Sequence, residues 1–418
     1  MKVYLVGGAV RDSLLGLSIK DKDWVVVGAT PSILLKKKYQ QVGKNFPVFL
    51  HPTSNEEYAL ARVEKKKGIG HTGFNTIFSP NISLEQDLKR RDLTINAIAQ
   101  DINGNFIDPF NGIKDLKNRL LKHVSSSFSE DPLRILRVAR FAANFSHLGF
   151  VISKDTMKIM SLMVKNKELM YLSKERVWNE TEKALKTNNP HIFFKVLKEC
   201  DALYIIFPEI DKVINFNHFY SNIIFKNYSS NLFIILAKIS KNTSDISIRF
   251  SSIFSLLNNI IFFKDSLSHQ EFDYCSAMLT KKMCERFKVP KYIQDFSTLI
   301  SGFFLFLRNF HLQTEKKIIY FFNRMDVWRK PDRIKKLIML IEQGFVSFNL
   351  SKNSNFNYCI FLSKYLKKIF NISLDISVQS IIKKGILGSK ISIELEKLRI
   401  SKIKKWKKKN FKKYFLLK

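Results

Sequence analysis

A chain of 418 residues is too long for a single hydrophobic core, so several domains are expected. At 45% hydrophobic residues it is not an intrinsically disordered chain. Lys and Arg number 70 against 36 Asp and Glu; the formal charge of +34 favours a polyanion, nucleic acid above all, although over-use of Lys, Asn, Ile and Phe is also what compositional drift produces.

The first stretch of about 110 residues alternates short β-like runs with helical patterns. The strand-like runs are KVYLV (2–6), WVVV (24–27), FPVFL (46–50) and YALARV (58–63). Between and after them, AVRDSLL (9–15), PSILLKKKY (31–39) and LEQDLKRRDLTINAIA (84–99) read as helices. NGNFIDPFNG (103–112) reads as a last short strand with a turn on each side. Beyond it Gly and Pro thin out and helical periodicity runs to the end. The expected architecture is an α+β head, a small mixed β-sheet with helices, followed by an all-α remainder. IFSLLNNIIFF (253–263) is interrupted by Asn258 and Asn259 and falls well short of the roughly 20 residues of a membrane span, so it reads as a buried helix. The tail SKIKKWKKKNFKKYFLLK (401–418) holds nine lysines and no acid, and reads as an RNA-attracted or disordered end.

Four cysteines without a CxxC pair suit a reducing cytosol and argue against a structural zinc site. The start, MKVYLVGGAVRDSLLG, lacks the long apolar core of a signal peptide. A cytoplasmic protein without membrane association is expected.

Acids are scarce, so KDKDWVVV (20–27) stands out. In a strand, residues two apart point the same way, so Asp21 and Asp23 would present paired carboxylates. Like charges at that spacing repel unless a cation lies between them, and hard oxygen donors select Mg²⁺. A solvated turn is the plainer alternative, since Lys20 and Lys22 flank both acids. The segment LVGGAVRD (5–12) shifts the balance. It runs from strand through glycines into helix, where Gly8 would let a phosphate approach the backbone and Arg11 would supply a charge-assisted fork.

GGAVRD followed by KDKDWVVVG resembles the signature of the nucleotidyltransferase superfamily that includes DNA polymerase beta. RRDLTINA (90–97), DPFNGIKDL (108–116) and EDPLR (130–134) resemble the narrower class II tRNA nucleotidyltransferases, the CCA-adding enzymes, and FPVFLHP and EEYALAR resemble their bacterial branch. The likeness is detailed to FPEID (207–211) and thin beyond it. It implies a catalytic head over 1–112, a helical neck with a nucleotide-selecting helix over 113–210, a body over 211–330 and a basic tail over 331–418. It implies that Asp21 and Asp23 hold Mg²⁺ and are catalytic, that Arg91 contacts the nucleotide, and that Asp92 lies near the ribose. Glu57 matches the position of a third acid in related enzymes.

The resemblance further implies that EDPLR replaces a template, and the chemistry of the residues agrees. Asp131 and Arg134 are three apart, neighbours on one helical face. A carboxylate accepts and a guanidinium donates, which matches the amino group and ring nitrogen of cytosine and adenine and mismatches uracil and guanine. The plainer alternative is an i,i+3 salt bridge worth about 0.2–0.5 kcal/mol. Farther along the same helix, Ile135, Val138, Ala139 and Ala142 form an apolar stripe, while Arg134, Arg137 and Arg140 form a row of forks suited to base, triphosphate and RNA phosphate. Glu130 suits a helix N-terminus and takes no catalytic role.

The activity so implied is addition and repair of the 3′-terminal CCA of tRNA from CTP and ATP, with pyrophosphate released. A bacterial poly(A) polymerase and a non-catalytic RNA-binding protein are the alternatives. Bacterial relatives carry a metal-dependent phosphohydrolase domain marked by adjacent His and Asp. This chain has no His–Asp dipeptide, and Ser255 and Leu256 stand where that pair would align. His218, His269 and His311 are scattered in the helical middle, so no phosphohydrolase activity is expected.

Overall fold

The computed structural model describes residues 1–42, 48–66, 74–215, 228–254, 269–346, 353–376, 378–383 and 385–415. The chain divides into two compact units, Met1–Pro208 and Glu209–Lys418.

The first unit carries a mixed sheet. Strands β1 (Lys2–Val6), β2 (Asp23–Val27), β3 (Gln40–Val42), β4 (Val48–Leu50), β5 (Glu57–Leu60), β8 (Ala99–Gln100) and β9 (Phe106–Ile107) lie in the order β3-β4-β5-β2-β1-β8-β9. Only β2 and β5 run parallel within this sheet. The run Val25-Val26 shows why β2 is apolar at successive positions. Val25 packs with Val6, Leu88, Ala97 and Ala99 on one face, and Val26 packs with Leu34, Phe49 and Leu60 on the other. A strand covered on both faces needs no polar alternation.

Four expected elements differ in their bounds. YALARV is two strands: β5 stops at Leu60, and β6 (Arg62–Lys66) leaves the sheet to pair with β7 (Phe74–Phe78). The break lies where the Arg62 N–H donates to the Asp87 carboxylate at 3.2 Å instead of to a sheet neighbour. PSILLKKKY stops being helical at Lys36, and Lys38 turns the chain with φ of 65°. LEQDLKRRDLTINAIA is not one helix. A capping box of Ser83 and Gln86 starts α3 (Leu84–Lys89), which ends before Arg91. The Asp92 carboxylate then accepts the Leu93 N–H at 2.8 Å, and a 3-10 turn over Thr94–Asn96 leads into β8. An aspartate that captures a neighbouring backbone N–H competes with helix. Finally, β2 begins at Asp23, so Asp21 precedes the strand. Phe46 and Pro47 lie outside the described residues.

Helix α1 (Gly8–Leu14) follows β1 directly, and α2 (Pro31–Lys36) and α4 (Gly112–Lys117) complete the head helices. The remainder of the unit is helical around α5 (Leu133–Phe145), against which α7 (Lys174–Leu185) and α8 (Pro190–Glu199) pack. The expected stripe of Ile135, Val138, Ala139 and Ala142 is buried. Strand β10 (Leu120–Leu121) pairs in parallel with β11 (Val151–Ile152), and α6 (Lys154–Lys165) follows.

In the second unit every described element is a helix or 3-10 turn. Its core is rich in aromatic rings, among them Phe304, Phe310, Phe321, Phe322, Phe345 and Tyr365. The basic tail corrects the disordered alternative. It is helical over Lys390–Phe415 because Ile403 is buried, Trp406 sits 5.7 Å from the Tyr365 ring, and Lys407 pairs with Glu315 at 3.4 Å. Among the described residues, no helix is long and apolar enough to cross a membrane. Ser255, Leu256 and His218 lie outside the described residues, as does most of 253–263.

Candidate active site

Antiparallel pairing of β1 with β2 sets Val6 opposite Asp23, so the glycine turn after β1 lies beside the first acid of β2. Parallel pairing of β2 with β5 sets Asp23 opposite Glu57. Gly7, Gly8, Asp21, Asp23 and Glu57 all line one open cavity of about 1330 Å³. Ligand pockets usually span about 300–1,000 Å³, so this one has room for more than a single small molecule. Burial pushes the Asp23 carboxyl above its ordinary range; Arg91 opposes this and the like charge of Asp21 adds to it. A cation at this edge would remove both the repulsion and part of the burial cost.

Gly7, rather than Gly8, is the conformationally demanding glycine. It has φ of 69° and ψ of −126°, and a Cβ placed there would lie 3.0 Å from Arg91 Nη1. Gly7→Ala is therefore expected to cost about 1–3 kcal/mol in strain and to displace Arg91. Thermal unfolding and the nucleotide KM check this together. A stability loss with KM unchanged would detach Arg91 from the nucleotide.

Arg11 lines the cavity but is held by the protein. Its Nη1 donates to Asn96 Oδ1 at 2.6 Å and its Nε to Asp12 at 2.8 Å. The guanidinium lies 4.9 Å from the Phe145 ring centroid and 5.4 Å from that of Phe141. Burial lowers its pKa, while Asp12 and Asp92 pull it up. Arg91 lies past the end of α3, not on it, where Nη2 contacts Asp87 at 3.2 Å. Its Nε is buried without a hydrogen-bond partner among the described residues.

Asp92 is buried. One carboxylate oxygen accepts from Arg137 Nε at 2.7 Å and the other from Asn96 Nδ2 at 3.0 Å and Leu93 N. Burial works against its charge, but Arg137 and these hydrogen bonds prevail and hold the carboxyl well below the usual range. Asp92 thus ties the segment after α3 to α5.

The EDPLR residues adopt a different geometry from two helical neighbours. Asp131 is extended, at φ −116° and ψ 108°, and α5 begins only at Leu133. The Asp131 carboxylate accepts from Leu133 N at 3.0 Å and from Arg176 Nη2 at 2.7 Å. Arg134 donates from Nη1 to the Ser127 carbonyl at 2.7 Å and from Nη2 to the Arg90 carbonyl at 2.6 Å. Proline at 132 explains the shape, because the residue before a proline is driven out of the helical region. Arg137 and Arg140 also line the cavity; Arg140 Nε donates to Glu180 at 2.6 Å and its guanidinium covers the Phe141 ring at 4.2 Å.

Every residue expected from sequence at the site lines this cavity: Gly8, Arg11, Asp21, Asp23, Arg91, Asp131, Arg134, Arg137 and Arg140. Sequence reasoning gave no role to Arg90, Asn96, Arg176 and Lys183. In KERVWNETEKAL (174–185), Arg176, Glu180 and Lys183 recur at i, i+4 and i+7, one helical face, and that spacing was the available signal.

The wall of guanidiniums above an acidic sheet edge suits a nucleoside triphosphate, and residues 3–122 match the family model described as "Poly A polymerase head domain". The class is thus a nucleotidyltransferase. Residues 149–214 match the model described as "Probable RNA and SrmB- binding site of polymerase A". The chain is 55% identical to the CCA-adding enzyme of Buchnera aphidicola subsp. Schizaphis graminum (strain Sg), over 97% of this chain and 98% of that one. It is 51% identical to that of Buchnera aphidicola subsp. Acyrthosiphon pisum (strain Tuc7), over the whole of both. The chain belongs to the family of CCA-adding enzymes. Its fold is similar to a solved CCA-adding enzyme in an apo form, with a TM-score of 0.64 at 23% identity over 96% of this chain and 88% of that one. It is also similar to the Thermotoga maritima CCA-adding enzyme complexed with tRNA, with a TM-score of 0.63 at 21% identity over 96% and 87%.

Proposed function

We propose that this protein adds and repairs the 3′-terminal CCA of tRNA, joining two cytidylates and then an adenylate from CTP and ATP and releasing pyrophosphate. The observation that carries this is the 55% identity to a CCA-adding enzyme across nearly the whole chain. Solved structures of similar fold hold ATP, CTP and tRNA. Incubating tRNA that lacks its CCA end with CTP and ATP and sequencing the product tests it. A run of adenylates would identify a poly(A) polymerase instead, and an unextended end would identify a protein that only binds RNA.

Among the described residues, the cavity lining offers carboxylates and no imidazole or thiol, a donor set that fits Mg²⁺. Asp21 and Asp23 would hold the ion, with Glu57 beside Asp23 in the sheet. When bound, the ion supplies charge stabilisation at the reacting phosphate. The chain's own groups do the rest. Arg91 and the Gly7–Gly8 turn receive the nucleotide. Asp131 accepts from the amino group of cytosine or adenine and Arg134 donates to the ring nitrogen, so uracil and guanine leave unpaired groups. Arg137, Arg140 and Lys183 line the path of RNA phosphates. The row of forks along α5 and the basic second unit grip the acceptor arm through its backbone. The layout is head, neck, body and tail, dividing near 112, 210 and 330, and the site of action is the cytoplasm.

No phosphohydrolase activity is expected, on the ground that the chain contains no His–Asp dipeptide. Assay of the purified protein on a 2′,3′-cyclic nucleotide with Ni²⁺ or Mg²⁺ checks this. Turnover that persists in an Asp21→Ala background would reveal a second metal site.

A further inference from the structure

The helical unit contains a cavity of its own, about 550 Å³, lined by helices His269–Arg286, Lys291–Ser301, Phe304–Arg308 and Glu315–Arg324. Gly302 lets two of these helices meet, since a Cβ there would lie 2.9 Å from the Ala277 Cβ. The lining has three chemically distinct parts. The first is polar. Asp273 Oδ1 accepts from Leu305 N at 3.2 Å, and Thr298 Oγ1 is buried with no hydrogen-bond partner among the described residues. The second is aromatic: the Phe303 ring lies 5.6 Å from Phe306 and 6.3 Å from Tyr320. The third is cationic. Lys317, Tyr320 and Arg324 follow one another at i, i+3 and i+7, so two cations flank an exposed tyrosine on one face of a helix.

Each part has a cost that a ligand would relieve. A carboxyl kept from water is expensive, and burial pushes Asp273 up to about 7 although backbone N–H groups at 304–306 pull the other way. Near neutral pH it is therefore partly protonated, able to donate as well as accept. Tyr320 is 58% exposed and Tyr274 67%, large rings left in water at the mouth. An orphan buried hydroxyl is a group expected to be paired.

We propose that this cavity binds a nucleobase together with its phosphate. Its edge meets Asp273 and Thr298, its face lies against Phe303 and Tyr320, and its phosphate meets Lys317 and Arg324. Aromatic stacking holds an unpaired base with about 1–3 kcal/mol. A free nucleotide and an unpaired base of an RNA present the same chemistry, and the site is separate from the nucleotidyltransferase cavity, which lies in the first unit.

The test uses the full chain and 8-azidoadenosine 5′-monophosphate, whose reactive group is remote from the amino edge. After irradiation and digestion, label is expected on peptides from 298–324 as well as from the head. The double variant Tyr320→Ala/Arg324→Glu, changed only at exposed positions, should lose at least fivefold of the 298–324 label with head label unchanged. AMP should compete for it, and ribose 5-phosphate, which lacks a base, should not. Competition by single-stranded oligoadenylate at nucleotide concentrations at least tenfold below those of AMP identifies an RNA base as the occupant; competition by AMP as strong as by oligoadenylate identifies a free nucleotide. Absence of 298–324 label at millimolar probe, retention of it in the double variant, or equal competition by ribose 5-phosphate overturns the proposal.

Discussion

Replacing Asp23 with Ala is expected to lower CTP incorporation about 1000-fold or more, equivalent to about 4 kcal/mol of transition-state stabilisation, and Asp21→Ala to do likewise. The stability of the protein should not fall with it. Burial already disfavours the charge on Asp23, and the like charge of Asp21 adds to the cost. Removing one acid relieves that strain, so the melting temperature should hold or rise. tRNA binding should be nearly unchanged, because its affinity rests on cations met by phosphates. Single-turnover kinetics, thermal unfolding and a tRNA gel shift on the same preparations separate the three effects. Mg²⁺-dependent turnover within tenfold of the parent protein would remove these residues from the metal site.

The second large effect is on nucleotide choice. Asp131→Asn exchanges an acceptor for a group that can also donate, and should raise UTP use relative to CTP by roughly 10–100-fold, about 1.4–2.8 kcal/mol of lost discrimination. Arg134→Ala should blur the choice as well. It carries a second cost, because the carbonyls of Ser127 and Arg90 lose their donor, at about 1–3 kcal/mol for each buried group left unsatisfied. The two variants therefore differ in stability while agreeing in selectivity. Competition among all four nucleotides, read by product sequencing, measures the choice directly. If both variants stay strict for C and A, Asp131 and Arg134 are only structural, one anchoring Arg176 and the other closing two backbone carbonyls.

Much of the site was legible in the linear chain, because its chemistry is local. A glycine turn, paired acids and the row of arginines each lie within a dozen residues; β2 follows from its β-branched run and α5 from its apolar periodicity. The alternation of Val25 and Val26 between two packed faces was hidden, since a strand covered on both sides loses its polar alternation. The end of α3 was hidden too. Helical spacing continues through RRDLTIN, but the Asp92 side chain captures Leu93 N and the Arg137 fork, a partner 45 residues away.

What the sequence by itself determined was the class of chemistry: carboxylates and guanidinium forks keep their donor and acceptor character and their charge wherever they are placed. Only the tertiary structure decided which fork answers which acid. Arg137 is taken by Asp92, Arg140 by Glu180 and Asp131 by Arg176. Each of these pairs joins residues 40 or more positions apart. The pairing of charges across such distances is set by sheet register and helix packing, and no short-range pattern encodes it.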